Sequence, residues 1–475
     1  MHVTLVLGLD IGSSTTKAAL VEVTDEVSVV HIARRRTPPD ADALIAAAAD
    51  VMRECAAAAS GPIAAIGIAA MAETGAALDA GGNALTPLLR WDRGVDHSHL
   101  KALLVQHPGL PAATGIPATT KPAAVSLLAL RTERPDVFGA MRHWSGVADI
   151  VAHALTGERA TDHTLAARTM LAGLGGESWN SEVIESLGAH TSLLPELRAP
   201  GEPVGATSAA ARRFGIARGI PVHIAGHDHA VGAWAAGVRE AGDTADSLGT
   251  AEAVVRVTDT VDILRAVDAG FSVGRTVDGT ALTVLGGSPA CGAMLTWWDA
   301  EHPEDRMLAQ LGALGADTWE VGGALVLPYP SGRQCPTPSP GARVQVLGDT
   351  VGPVDRARSL LQSLVAQSRW MRETADELAG SPTRALAVIG SLTERVPAWA
   401  PLIATAGVPT SVCSAEEPVA AGAAVLAAVR AGEAPIDARV LSCANVAPPR
   451  AAGFDDTYRR FLAAVMPEVT TEGES

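Results

Sequence analysis

Two short stretches carry the residue types that a turn around phosphate oxygens requires. In "GLDIGSSTTK" the carboxylate of Asp10 is followed by Gly12, Ser13, Ser14 and Thr15. Residues this small leave the backbone open, so amides and hydroxyls at such a tip can surround phosphate. Asp10 at its base suits a hydrated Mg2+, a hard cation that accepts carboxylate, water and nucleotide oxygens. An ordinary turn with Asp10 as a local cap accounts for the same residues, and no G-x-x-x-x-G-K-[ST] loop occurs. In "DSLGTAEAV" the pair Gly249-Thr250 stands, like Gly12-Ser13, directly before an apolar run. Two related halves are the reading this similarity suggests.

Asp228 follows the apolar run "GIPVHIAG", at the strand end where open α/β sheets place their ligands. An aspartate there can take the proton of a hydroxyl as its oxygen attacks phosphorus. The cap of a helix beginning near Ala230 is a second reading, and a metal site with His227 and His229 a third. Glu73, in "AAMAETGAALD", and Trp91, in "LLRWDR", supply a carboxylate for hydroxyls and an indole floor, the needs of a polyhydroxylated ligand. Taken without context, such residues are more often a surface charge or a core aromatic.

Positioning such residues takes alternating strands and helices. Residues 5–9 and 18–23 read as strands on either side of the first tip. "DADALIAAAADVMRECAAAA" reads as a helix and "IAAIGIAA" as a buried strand. Residues 120–213 are mostly helical, with Pro and Gly punctuation. The strand 219–226 ends at Asp228. Later come strands near 281–285 and 324–328, a long helix over 354–378, the strand "ALAVIG" and the alanine-rich helix "EEPVAAGAAVLAAVR". The class is α/β. The expected organisation is a first domain over 1–238, a second over 239–468 and a frayed tail over 469–475.

The 475 residues exceed the usual size of a single core, which favours two domains. Acidic residues outnumber basic ones 52 to 36, a formal charge of −16 that disfavours nucleic acid and anionic membranes as partners. A small phosphate-bearing ligand remains compatible, since loop amides and a divalent cation act locally. Five scattered cysteines with no C-x-x-C pair point to a reducing compartment and exclude a cysteine-held cluster. No hydrophobic run reaches the length of a membrane span. The expectation is a soluble cytoplasmic protein.

The order of "GLDIGSSTTKAAL", "LLRWDR", "LTGERATDHTLAARTML", "PVHIAGHDHAVGAWAAG", "DSLGTAEAV", "LPYPSGRQCP" and "EEPVAAGAAVLAAV" resembles the FGGY carbohydrate kinases. The resemblance implies two RNase H-like domains of the actin-like ATPase type, with ATP, Mg2+ and a sugar or polyol meeting in an inter-domain cleft. It implies that Asp228 is the catalytic base and that Asp10 lies near the metal. Gly12, Ser13, Ser14 and Thr15 match the first phosphate loop, Gly249 and Thr250 the second. Gly292 and Gly390 match glycines of the nucleotide site, although Ser391, Leu392 and Thr393 replace the glycine-rich run that relatives carry after Gly390. Glu73, Trp91 and His229 fall where relatives contact substrate. Ala72 stands where glycerol kinases have arginine, and "MAETG" lacks the histidine of xylulose kinases.

The leading expectation is therefore phosphorylation of a sugar, ketose or polyol hydroxyl by ATP, with a homodimer as one assembly open to the protein. An actin-like conformational ATPase and a sugar-binding homologue without transferase activity are the alternatives.

Overall fold

Every second residue of the strand Thr4–Ile11 is a large apolar one, and alternation decides what each face meets. Leu5, Leu7, Leu9 and Ile11 share a core with Leu44, Ala48, Val51 and Met52 of the helix Ala41–Ala57. That helix starts at Asp40, whose carboxylate accepts the amide of Ala43 at 2.8 Å. Gly8 and Asp10 occupy the opposite face. A Cβ at Gly8 would lie 1.8 Å from the Ala420 carbonyl oxygen, and one at Gly67 1.9 Å from that of Ala423. Glycine is required at both positions because the alanine-rich helix Pro418–Arg430 lies directly on the two strands.

The computed structural model describes residues 3–315, 318–414, 416–451 and 453–466. The tail expected over 469–475 lies outside them. The chain forms two units. One comprises Met1–Arg239, Ser272–Thr283 and Ala415–Ser442, the other Glu240–Phe271, Val284–Ser414 and Cys443–Ser475.

The first unit's sheet runs in the order Val27–Arg36, Thr15–Val23, Thr4–Ile11, Ile63–Ala70, Pro221–His227, Gly205–Ala206. Its first three strands are antiparallel, and Thr4–Ile11, Ile63–Ala70 and Pro221–His227 are parallel. The region after residue 120 is mainly helical, as expected, but includes short strands such as His143–Gly146 and Ala160–Asp162.

The second unit repeats this plan. Asp243–Leu248 pairs antiparallel with Glu252–Thr258 and parallel with Ala385–Ile389, which pairs parallel with Thr410–Ser414. The long helix Gly352–Ala379 buries an unusual polar face. Its Ser359 and Ser363 accept the amides of Ala324 and Val326, which fixes the strand Leu325–Leu327 without a sheet neighbour on that side.

One expectation is corrected. Cys413 and Cys443 form a disulfide, although the scattered cysteines suggested unpaired thiols. They sit on Thr410–Ser414 and Ser442–Val446, adjacent strands at one edge of the second sheet. A sequence separation of 30 hides that proximity from the spacing pattern. Cys55, Cys291 and Cys335 are buried and lie outside any disulfide. Among the described residues no helix is long and apolar enough to cross a membrane.

Candidate active site

In the first unit, Asp10 is the penultimate residue of its strand, and the antiparallel register sets Lys17 opposite it. Lys17 Nζ lies 3.5 Å from Asp10 Oδ2 and 2.8 Å from Glu417 Oε2. Arg34 Nε reaches Glu417 Oε1 at 2.5 Å. Asp10 Oδ1 is buried with no partner among the described residues. Burial, against the pull of Lys17 and with the charges of Asp228 and Glu417 adding to it, pushes the Asp10 carboxyl up to about 7. An enclosed carboxylate oxygen with no donor is the donor type a hard hydrated cation takes, so Asp10 fits Mg2+.

The tip between these strands is built by backbone. Gly12 N–H donates to the Thr15 carbonyl at 3.1 Å, and Thr37 N–H to the Ser14 carbonyl at 3.0 Å. Arg90 braces it by donating from Nη1 to the Ser13 carbonyl at 2.7 Å while its other nitrogens hold Asp92. Ser14 is exposed, and Ser13 and Thr15 are half-buried.

Asp228 stands where the strand Pro221–His227 gives way to the helix Asp228–Ala235. The helix starts two residues before the expected Ala230, which puts Asp228 inside its first turn. His227 takes the capping position, without a side-chain cap bond. The contacts of Asp228 with its neighbours, from the His229 amide at 2.7 Å and with His227 Nε2 at 3.1 Å, both fall on Oδ1. Burial raises the Asp228 carboxyl above its usual range. His229 and Arg168 oppose this, and Glu73 reinforces it. Burial also holds the His227 imidazole well below its usual value.

The strand end is fixed from outside. Thr164 Oγ1 accepts the His227 amide at 2.8 Å and donates to Asp162. Gly226, at φ +136°, leaves room for that hydroxyl, which a Cβ would approach to 2.7 Å.

Glu73 adopts φ +57°, in the left-handed region. Arg168 donates to its Oε1 from Nε at 2.9 Å and from Nη2 at 2.5 Å. Trp91 packs against the sheet core and donates its amide to Thr74 Oγ1 at 3.1 Å, and Lys121 Nζ lies 5.1 Å from its ring centre. The His227 and His229 rings meet edge to face at 5.2 Å. Their ring nitrogens and the Asp228 carboxylate lie within 4.8 Å of one another. Two imidazoles make this set a poor match for Mg2+. A cavity of about 40 Å3 borders Glu73 and Thr74, lined further by Trp144, Asp149, Thr161 and Trp179. It has room for ordered water beside Asp149 Oδ1, which has no hydrogen-bond partner among the described residues.

In the second unit, Gly249 N–H donates to the Ala251 carbonyl at 3.1 Å and closes the corresponding tip. Gly292 N–H donates to the Gly249 carbonyl at 3.0 Å and Ala293 N–H to that of Thr250 at 2.8 Å, so the helix Gly292–Glu301 begins against this tip. A Cβ at Gly292 would meet the Gly249 oxygen at 2.9 Å, and one at Gly390 the Leu248 oxygen at 2.3 Å. Both glycines are contact points for the tip.

The structure thus brings Asp10, Asp228, Glu73, Trp91 and His229 into the first unit, and Gly249, Thr250, Gly292 and Gly390 together in the second. Sequence reasoning missed Lys17, Arg168 and Glu417. Lys17 had a signal, because Asp10 and Lys17 are equidistant from the hairpin tip. Arg168 and Glu417 lie within the quoted stretches "LTGERATDHTLAARTML" and "EEPVAAGAAVLAAV", but nothing local there ties them to Glu73 or Lys17.

Residues 5–235 match the model of the FGGY family of carbohydrate kinases, N-terminal domain, and residues 247–431 that of its C-terminal domain. L-fuculokinase of Escherichia coli (strain K12) is 27% identical over 253 residues, which cover 51% of this chain and 53% of the relative. Glycerol kinase 2 of Streptomyces coelicolor is 27% identical over 273 residues, 55% of this chain and 52% of the relative. These alignments span about half the length of the curated relatives. The xylulose kinase structure from Rhodospirillum rubrum superposes with a TM-score of 0.83 at 24% identity over 97% of this chain and 99% of that one. The gluconate kinase structure from Lactobacillus acidophilus gives 0.82 at 18% identity over 98% of each. The fold is accordingly the two-domain α/β, actin-like fold of these kinases. With both family models matched across most of its length, the chain belongs to the FGGY family of carbohydrate kinases.

Proposed function

We propose that the protein transfers the terminal phosphoryl group of ATP to a hydroxyl of a sugar, ketose or polyol, with Asp228 as general base. The observation that carries this is the state of Asp228. It is half-buried at a strand end, its partners among the described residues engage Oδ1, and burial has raised its basicity. Oδ2 is therefore left to accept a hydroxyl proton as the oxygen attacks phosphorus. Glu73, Trp91 and His229 would hold the acceptor, the carboxylate and imidazole by hydrogen bonds and the indole by its apolar face.

Residues 1–238 would supply the acceptor contacts, the base and the first phosphate loop, through Gly12, Ser13, Ser14 and Thr15. Residues 239–468 would supply the second, through Gly249 and Thr250, with Gly292 and Gly390 shaping it for the nucleotide. Asp10 would hold Mg2+, which when bound neutralises charge on the phosphates. Lys17, fixed between Asp10 and Glu417, adds a cation of the chain's own beside that point. Alignment and electrostatics, with little covalent work by the protein, are what phosphoryl transfer demands.

The test is an ADP-release assay with Mg-ATP over glycerol, tetritols, ketopentoses, hexuloses and aldonic acids. Acceptor-dependent turnover should fall by about 10²–10⁴-fold in Asp228→Asn, the range a general base contributes, with ADP affinity nearly unchanged. Turnover retained in the variant would remove Asp228 as the base. Hydrolysis independent of any acceptor would replace the kinase reading with a conformational ATPase.

A further inference from the structure

The strand Pro221–His227 carries one residue more than its neighbour. Its parallel register with Ile63–Ala70 sets Ile224 against Ile68 and Gly226 against Ala69, so Ala225 is inserted between them. Side chains alternate along a strand, so one inserted residue moves everything after it to the other face of the sheet. Ile224 lies in a row with Ile68 and Leu9, on the face of the helix Ala41–Ala57. Gly226 lies in a row with Ala69 and Asp10, on the face of the helix Pro418–Arg430. His227 is still extended, at φ −62° and ψ 131°, so Asp228 falls on the face of Asp10. The helix that follows agrees, since a Cβ at Gly422 of Pro418–Arg430 would lie 2.8 Å from Ala235 Cβ. Without the insertion, the Asp228 carboxylate would be directed to the apolar face of Leu9 and Ile11.

Two side chains hold the inserted residue. The ladder with Gly205–Ala206 engages Pro221 and Val222, and beyond it Arg430 supplies the donors. Its Nη1 donates to the Ile224 carbonyl at 2.8 Å, and its Nη2 to those of Ala225 at 3.3 Å and Val277 at 2.7 Å. Thr164 Oγ1, which accepts the His227 amide, is itself fixed by Asp162. Asp162 Oδ1 also accepts the Thr164 amide at 2.8 Å, and Oδ2 lies 3.0 Å from His163 Nδ1. His163 Nε2 donates to the Thr276 carbonyl at 3.0 Å. Arg430 and His163 are thus moored to the adjacent carbonyls of Val277 and Thr276, and all of these residues belong to the first unit.

We infer that Arg430 and Thr164 are positioning residues for Asp228: they hold the inserted Ala225 in place and so put the base on the sheet face of Asp10. This rests on the assignment of Asp228 as the base proposed above. Arg430 binds carbonyls and Thr164 an amide, so each acts through the backbone. Lysine is a poor replacement for Arg430, because a single ammonium lacks the planar fork that spans three carbonyls.

The test compares full-length wild type with Thr164→Val, Thr164→Ser, Arg430→Met, Arg430→Lys and Asp228→Asn. It measures kcat and KM with MgATP and whichever of glycerol, erythritol, D-xylulose or L-fuculose wild type turns over fastest. Misplacing a reacting group by about 1 Å costs about 10²-fold, so kcat should fall about 10–100-fold in Thr164→Val and in Arg430→Met, with KM for ATP and acceptor nearly unchanged. Thr164→Ser keeps the hydroxyl and should recover most of the loss. Thr164→Val combined with Asp228→Asn should lose little beyond Asp228→Asn alone, because the hydroxyl acts through that carboxylate. Crystal structures of wild type, Thr164→Val and Arg430→Met need no acceptor, and should show the Asp228 carboxylate displaced in both variants.

Unchanged kcat in both variants, KM rising as much as kcat falls, an equal further loss in the Asp228→Asn background, or an unmoved Asp228 carboxylate would each overturn the positioning role. Turnover retained in Asp228→Asn would overturn the base assignment instead, and no turnover of any compound by wild type would count against the kinase reading. In either case the crystal structures alone decide whether Arg430 and Thr164 place Asp228. Should Arg430→Met fail to fold, Arg430→Lys, which keeps the charge and reaches fewer carbonyls, gives the same comparison.

Discussion

The two hydroxyl-bearing hairpins share one frame and treat their charges in opposite ways. Beneath the first, Lys17 is 27% exposed and Glu417 14%, and Asp10 keeps a free oxygen. Beneath the second, Asp246 and Glu252 flank the tip on paired strands and are sealed from solvent. Arg372 is buried with them, and Asp246 Oδ2 accepts from Ser368 Oγ at 2.6 Å. Burial raises both carboxyls, Glu252 well above its usual range with Asp246 adding to the effect, while Arg372 is pushed down. The difference teaches that a tip of small and hydroxylated residues does not define a site by itself. The groups under it decide whether charge is offered to a ligand or locked away to shape the loop.

Removing the sealed cation should separate the two hairpins most. Arg372→Met removes the buried guanidinium whose charge acts on both carboxyls, and leaving buried charge uncompensated costs about 3–5 kcal/mol. Lys17→Met removes a cation that solvent reaches, and its stability cost should stay near or below about 1 kcal/mol. Urea unfolding of both variants measures this, and equal shifts would break the comparison.

The glycines give a smaller contrast. Gly390 has φ +114° and its Cβ would collide with backbone of the second hairpin. At Gly12 a Cβ would meet only the Thr15 oxygen, at 3.1 Å, without a positive φ. Gly390→Ala should cost about 1–3 kcal/mol through strain and overpacking, and Gly12→Ala distinctly less. Thermal midpoints decide it, and a larger drop in Gly12→Ala would reverse the assignment of the second tip as the tightly packed one.

These contrasts also mark what the sequence made legible. Turns, strand ends and the carboxylates beside them are local, so Asp10, Asp228 and the two tips were visible as patterns, and so was the alternation that builds the first strand. The order of the second sheet follows from its repeat of the first. What stayed hidden depends on where distant chain lands. The helix Pro418–Arg430 packs onto Gly8 and Gly67, which brings Glu417 to Lys17 and Arg34. The Arg168 guanidinium reaches Glu73 across 95 residues, and Cys413 meets Cys443 only because two edge strands are neighbours. Composition constrains none of these pairings.

The smallest expected effect tests the comparison by its sign. Glu252 belongs to the second hairpin, and its folded pKa lies well above the unfolded value of 4.5. A carboxyl raised in this way adds stability at acid pH and loses it as pH rises from about 4.5 through the folded value. Glu252→Gln stays neutral throughout, so relative to wild type it should gain stability with rising pH. Glu417 is the counterpart below the first hairpin. Burial opposes its ionisation, but hydrogen bonds from Lys17 and Arg34 outweigh burial and hold its carboxyl below 4.5. Its contribution is present above pH 4.5 and lost in acid, so Glu417→Gln should be destabilised at neutral pH and converge on wild type as pH falls. Urea midpoints for the two variants across this range should therefore diverge from wild type in opposite directions. The same direction in both would mean that the second hairpin holds its glutamate ionised, and that the two tips are charged alike.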